Sequence, residues 1–160
     1  HPRRPRRSWP SASLSSTAMT VNWSTVRSVV RVALGGFLCV AGITHLTSAR
    51  TEFQAQVPDW VPVGTDLVVI VSGIVEIALG LALILAKRHR ALVGFAVGLF
   101  FIAIFPGNIS QYVDGHDAFG LNSDGARLIR LFFQPVLVAW AWWSTEALSA
   151  RPWRQLRSRS

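Results

Sequence analysis

Three features of this 160-residue sequence predict an all-α fold, a four-helix transmembrane bundle with both termini cytoplasmic. The first is Leu67–Ala86, LVVIVSGIVEIALGLALILA, whose length at about 1.5 Å rise per residue covers roughly 30 Å, the thickness of a bilayer's hydrocarbon core. The second is the presence of three further apolar stretches of similar length, Val26–Thr47, Ala91–Gln111 and Arg127–Thr145. The third is charge distribution. With four spans both termini share one side, and that side collects six basic residues before Val32, three within Lys87–Arg90 and four from Arg151 onward. The other side has only Arg50, Arg127 and Arg130, so the positive-inside bias places the termini in the cytoplasm.

Composition narrows the class. Apolar residues make up 51 % of the chain, which suits one compact membrane unit and leaves no room for a second domain. A formal charge of +8 would suit nucleic acid, but the basic residues flank apolar spans, so the expected partner is an anionic lipid bilayer and not nucleic acid. Cys39 is the only cysteine, which excludes an internal disulfide, a Cys-x-x-Cys redox pair and a cysteine metal cage.

In order, residues 1–25 are expected to form a basic N-terminal tail, residues 26–146 the membrane domain and residues 147–160 a basic C-terminal tail. The first eighteen residues are rich in Arg, Pro and Ser without apolar periodicity and read as disordered; Met19 reads as a natural start, with the residues before it an upstream extension. The first span opens with Arg27 and Arg31, one turn apart and expected to snorkel to headgroups. An Arg-flanked apolar run ending in Thr47-Ser48-Ala49 also has the outline of a signal peptide, but the three later spans and the polar His45 favour a span. Residues 50–66 read as a loop, since Pro58 and Pro62 interrupt regular helix, and Trp60 suits the headgroup zone. The second span ends in the basic turn Lys87–Arg90. The third is apolar to Phe105, where Pro106-Gly107 should weaken its last turn. Residues 112–125 form a polar loop with Asp114, His116, Asp117 and Asp124, whose spacing fits no calcium loop; no metal site is expected. The fourth span contains Pro135, expected to kink it, and closes on Trp140, Trp142 and Trp143, expected as an interfacial belt.

Each span carries polar residues on one stripe. Gly35, Leu38, Gly42 and His45 share a face of the first; Gly73, Glu76 and Gly80 of the second; Gly94, Gly98, Phe101, Phe105 and Asn108 of the third; Arg127, Arg130, Gln134 and Val138 of the fourth. Small residues let helices approach closely, so these stripes should face the interior. Measured from the outer ends, His45 and Asn108 lie about 3–5 Å deep, Arg130 about 5 Å, Gln134 about 10 Å and Glu76 about 15 Å. That describes a polar funnel open to the outside with a carboxylate at its floor. A carboxylate at mid-depth is costly and marks a site by default. Gln134, one turn above, is its expected hydrogen-bond partner. Plainer roles compete: His45 bonded to a backbone carbonyl, Asn108 and Gln134 as inter-helix glue, Arg127 and Arg130 as headgroup anchors.

The runs GITHL, VPDWVP, SGIVEIALGL, FPGNI and RLFFQPVLVAWAWW, in this order across residues 29–146, together resemble the DoxX-like family of small bacterial membrane proteins. The resemblance implies a four-helix transmembrane bundle in the cytoplasmic membrane. It also implies kinship with small subunits of quinone-linked oxidoreductase complexes, with His45, Glu76, Asn108 and Gln134 as the family-like polar positions. The functional expectation is a subunit or binding module, not an enzyme on its own, whose His45, Glu76, Asn108, Arg130 and Gln134 bind a small amphiphile such as a quinone, or a partner protein. Two alternatives stand beside it: a quinone-linked oxidoreductase component in which Glu76 and His45 move protons, and a small transporter. A redox-complex subunit and a homo-oligomer are both expected modes of assembly.

Overall fold

The computed structural model describes residues 21–115 and 123–149, and these are helical apart from connections. The elements are α1 (Trp23–Leu46), α2 (Arg50–Gln54), α3 (Thr65–Leu85), a 3-10 turn at Lys87–His89, α4 (Arg90–Val113) and α5 (Asp124–Thr145). Three helices, Trp23–Leu46, Thr65–Leu85 and Lys87–Val113, are long and apolar enough to cross a membrane, which makes this a membrane protein. Their outward faces carry the apolar side chains that a soluble fold would bury, among them Val29, Val40, Ile74, Leu85 and Leu99. Residues 1–20, His116 and Asp117 of the polar loop, and the tail from Ala150 lie outside the described residues.

Two helix termini are set by caps that the apolar pattern does not register. Asn22 Oδ1 accepts from the backbone N–H groups of Ser24 and Thr25 at 3.2 and 3.4 Å, so α1 begins at Trp23, three residues before the expected Val26. Ser123 Oγ accepts from Ala126 N at 3.3 Å and starts α5. Part of the expected loop 50–66 is also helical, because both of its prolines come after Gln54 and leave Arg50–Gln54 free to form a turn. α4 runs seven residues past Pro106 to Val113. Pro106 removes only one donor, and the ring sits on the exposed side of the helix.

The helices associate as two antiparallel pairs, α1 with α3 and α4 with α5, and α1 against α5 and α3 against α4 more sparsely. Glycines explain the first pair. A Cβ on Gly42 would lie 2.5 Å from Gly73 O, and one on Gly80 would lie 2.6 Å from Gly35 O, so the two backbones touch at two levels seven residues apart. In the second pair Gly94 receives Thr145 and Gly98 receives the Trp142 indole. The pairs join at their basic ends around Leu34, Leu38, Leu83, Val97, Phe101, Leu137 and Ala141.

The basic end is closed by polar contacts that differ from the expected snorkelling. Arg31 is buried and donates to Leu83 O, a carbonyl in the last turn of α3 that lacks an intrahelical partner; the cation also complements the negative end of that helix. Arg27 pairs with Glu146, and Arg90 Nη2 lies 2.5 Å from the other Glu146 oxygen. Glu146 caps α5 in the left-handed region (φ 58°), and Ala147, fully buried, donates to Trp142 O at 3.0 Å. The expected tryptophan belt is thus only partly a belt. Trp140 Nε1 donates to Val30 O at 3.1 Å, Trp142 packs on α4, and Trp143 stays 43 % exposed with the Arg27 guanidinium 5.6 Å from its ring.

Candidate functional site

At the end opposite Arg27, Arg31 and Arg90 a cavity of about 580 Å³ opens between the two helix pairs. All five polar residues singled out from the sequence, His45, Glu76, Asn108, Arg130 and Gln134, line it. Its walls are otherwise mostly apolar, from Leu38 and Phe101 at the inner end to Val57 and Val61 at the outer. The polar funnel of the sequence reading is therefore an apolar chamber with a few polar groups placed in it, the usual make-up of a small-molecule site.

Glu76 is 4 % exposed, and its neighbour is His45 on α1, not Gln134. His45 Nδ1 lies 3.0 Å from Glu76 Oε2 and 2.8 Å from Ala41 O. By helix rise, with Gly42 set against Gly73, the two Cα atoms differ in depth by about 9 Å. The side chains close that gap because every helical Cβ leans toward its own N-terminus. On α1 this points His45 inward, and on the antiparallel α3 it points Glu76 outward. The same lean carries Gln134, on a helix entering from the outer end, away from Glu76.

Hydrogen-bond geometry at Nδ1 favours the Ala41 carbonyl, so Glu76 Oε2 is buried beside the ring without an aligned donor. Because a carbonyl oxygen only accepts, the Ala41 contact puts the proton on Nδ1.

Gln134 instead completes the α4–α5 pair. Asn108 Nδ2 donates to Gln134 Oε1 at 2.9 Å, and Gln134 Nε2 donates to Phe101 O at 2.7 Å. These two amides are satisfied by each other and by backbone, which is the glue role. Arg130 does not pair with Glu76: its Nη2 donates to Gln56 Oε1 at 2.8 Å. Arg127 is buried at 8 % exposure.

Residues missed in the sequence come from the segment that roofs the chamber. Phe53 stacks on His45 with ring centroids 3.3 Å apart and planes at 16°. Gln56, one turn further on, holds Arg130, and its carbonyl rests against Gly107, where a Cβ would come within 2.8 Å. The roof is tied to α3 by Asp66, which pairs with Arg50 (Nε–Oδ1 2.6 Å) and accepts from Gln54 at 2.8 Å. The three-residue spacing of Phe53 and Gln56 is the one local signal for them. Among the described residues no group of three His, Cys, Asp or Glu side chains is placed to hold a metal.

A family model described as a domain of unknown function, DUF8561, matches residues 34–145, a stretch that contains every one of these site residues. Comparison with curated proteins and with solved structures returned no match.

Proposed function

This chain belongs to the DUF8561 family, and we propose that it is a small-molecule-binding integral protein of the bacterial cytoplasmic membrane, built as a DoxX-like four-span bundle with both termini inside. The observation that carries this reading is the convergence of His45, Glu76, Asn108, Arg130 and Gln134 on one chamber. For α5 as a fourth span, its 22 residues would rise about 33 Å, and its outward face carries Leu128, Ile129, Phe132, Phe133 and Val136. Arg127 and Arg130, turned inward, are what lower its apolar average.

The ligand is a small amphiphile, quinone-like in having a flat or compact polar head on an apolar body. The His45–Glu76 pair meets the head at the chamber's inner wall, and Arg130 and Gln56 flank it nearer the roof. On this reading the protein is a subunit or binding module and not an enzyme alone. The close approach of His45 and Glu76 favours, as a second reading, a component of a quinone-linked oxidoreductase in which that pair exchanges a proton with the bound head.

The test is extraction in mild detergent followed by mass spectrometry and visible absorbance. The expected result is a co-purifying amphiphile that is lost from His45→Ala and Glu76→Ala. Equal retention by both variants would sink the assignment of the head to this pair. A co-purifying redox subunit together with a quinone would select the second reading.

A further inference from the structure

The roof formed by residues 50–64 covers the chamber on the water side, with Phe53, Gln56 and Trp60 in its lining. The sparse contact between the two helix pairs offers a second way in, from the side. The bond from Trp140 Nε1 to Val30 O ties α5 to α1. Seven residues from each of these toward the chamber, about 10 Å along each helix, stand Phe37 and Phe133. Four residues further are Ala41 and Ile129. All four line the chamber, and Phe37 is 48 %, Phe133 47 % and Ile129 72 % exposed, so the cavity is accessible along this seam. Below it the wall is closed by Leu34, Leu137 and Ala141.

We infer that the α1–α5 seam is a lateral port to the bilayer, and that it holds the apolar tail of a single-chain membrane amphiphile with an uncharged, hydrogen-bonding head. This rests on the chamber being the ligand site proposed above. The port is apolar on both flanks and, with α5 spanning, opens into hydrocarbon, where a lipid tail is the available occupant. The head's lack of net charge follows from the lining. Its one acidic side chain, Glu76, lies against His45, and its one guanidinium, Arg130, is bonded to Gln56, so each already has a polar neighbour and a net charge of either sign would gain little complement. The tail leaves between Phe37 and Phe133 while the head turns inward to the polar groups.

The protein reconstituted in phosphatidylcholine vesicles is exposed to a monoacylglycerol bearing a photoreactive diazirine on its chain, and labelled peptides are read by mass spectrometry. Labelling is expected on the peptides of Phe37, Ala41, Ile129 and Phe133, and inside at Leu38 and Phe101. Phe37→Cys with Phe133→Cys, in a Cys39→Ala background, is then bridged by a short bis-maleimide before the probe is added. Bridging should reduce interior labelling severalfold relative to the same variant left unbridged, and bridging after the probe should retain it. Should the pair fail to fold or bridge, Phe133→Ala alone serves, and it should speed the approach to full interior labelling severalfold. Interior labelling that ignores both changes would overturn the port and leave the chamber standing. Labelling that enters beside Val68 and Ala103 would move the port to the α3–α4 side and also overturn it. No interior labelling in the parent protein would remove the ligand-site reading itself.

Discussion

His45 on α1 and Glu76 on α3 meet across the tightest helix pair of the bundle, with Nδ1 3.0 Å from Oε2 and the imidazole backed by Phe53. The two side chains form a polar unit inside an otherwise apolar contact. Removing His45 leaves the buried Glu76 without its imidazole neighbour, removing Glu76 leaves a space beside a ring still bonded to Ala41 O, and either change costs more than its share of removing the pair together. His45→Ala and Glu76→Ala should each lower stability by about 1–3 kcal/mol, and the double variant should lose less than the sum. Glu76→Gln, which keeps the shape without the charge, should fold with stability close to the parent. Thermal unfolding in detergent of the four proteins makes the comparison. Strict additivity would mean that the two residues act independently, and a Glu76→Gln protein that does not fold would mean that the charge itself is required.

Gly42 and Gly36 provide an internally controlled pair on one helix. A methyl on Gly42 would press within 2.5 Å of Gly73 O and 2.7 Å of Ile77 Cγ1, and a backbone oxygen has nowhere to go. Gly42→Ala should therefore push α1 off α3 and lose about 1–3 kcal/mol. Gly36 has nothing within 4 Å of the added atom, so Gly36→Ala should be neutral or stabilise by up to about 1 kcal/mol through helix propensity. Equal effects at the two positions would contradict the α1–α3 contact described above.

Glu146 should confer an acid-sensitive increment of stability. The hydrogen bond from Arg90, with the charge of Arg27 beside it, holds its carboxyl below the ordinary carboxylate range. A folded-state pKa below the unfolded one contributes stability that is complete above the unfolded value, near 4.5, and is lost as pH falls through the folded value. The parent should thus exceed Glu146→Gln in melting temperature at neutral pH, with the gap constant down to about pH 5 and closing below about pH 4. Both partners are partly solvent-exposed, so the increment is small, about 0.5–1 kcal/mol. A gap that widens in acid would reverse the sign argued here.

Orientation is testable with single cysteines at exposed positions of the two ends. In a Cys39→Ala background, Asp59→Cys in the roof segment should react with a membrane-impermeant thiol reagent on intact cells, and Arg88→Cys in the basic turn should not. Reaction at Arg88→Cys alone would invert the proposed topology. Reaction at both would show that the two positions share a side, and would remove α3 as a span.

What the sequence determined by itself is whatever depends on neighbours along the chain. The long apolar runs set where α1, α3 and α4 lie to within a few residues, and period-3.6 spacing set which face of each helix turns inward. That is why Gly35, Gly42, His45, Gly73, Glu76, Gly80, Asn108 and Gln134 are all found buried. Only the tertiary structure decided partners, because a partner depends on which helices adjoin and on which way their side chains lean. Depth along the helix axis favoured Gln134 for Glu76, yet α5 lies against α4 and its side chains tilt outward, so the carboxylate meets His45 instead. Arg31 had the spacing of a headgroup anchor, and became a cap for α3 because the end of that helix sits beside it with an unpaired carbonyl. Glu146 had one local signal, as the sole acidic residue among the basic flanks, but its two arginines come from the starts of α1 and α4, far away in the chain. Phe53 and Gln56 entered the chamber wall because a short helical turn folds the roof back over it. No periodicity could specify that, since the five residues of α2 make little more than one turn, too few to define a buried face, and Gln56 lies beyond its end.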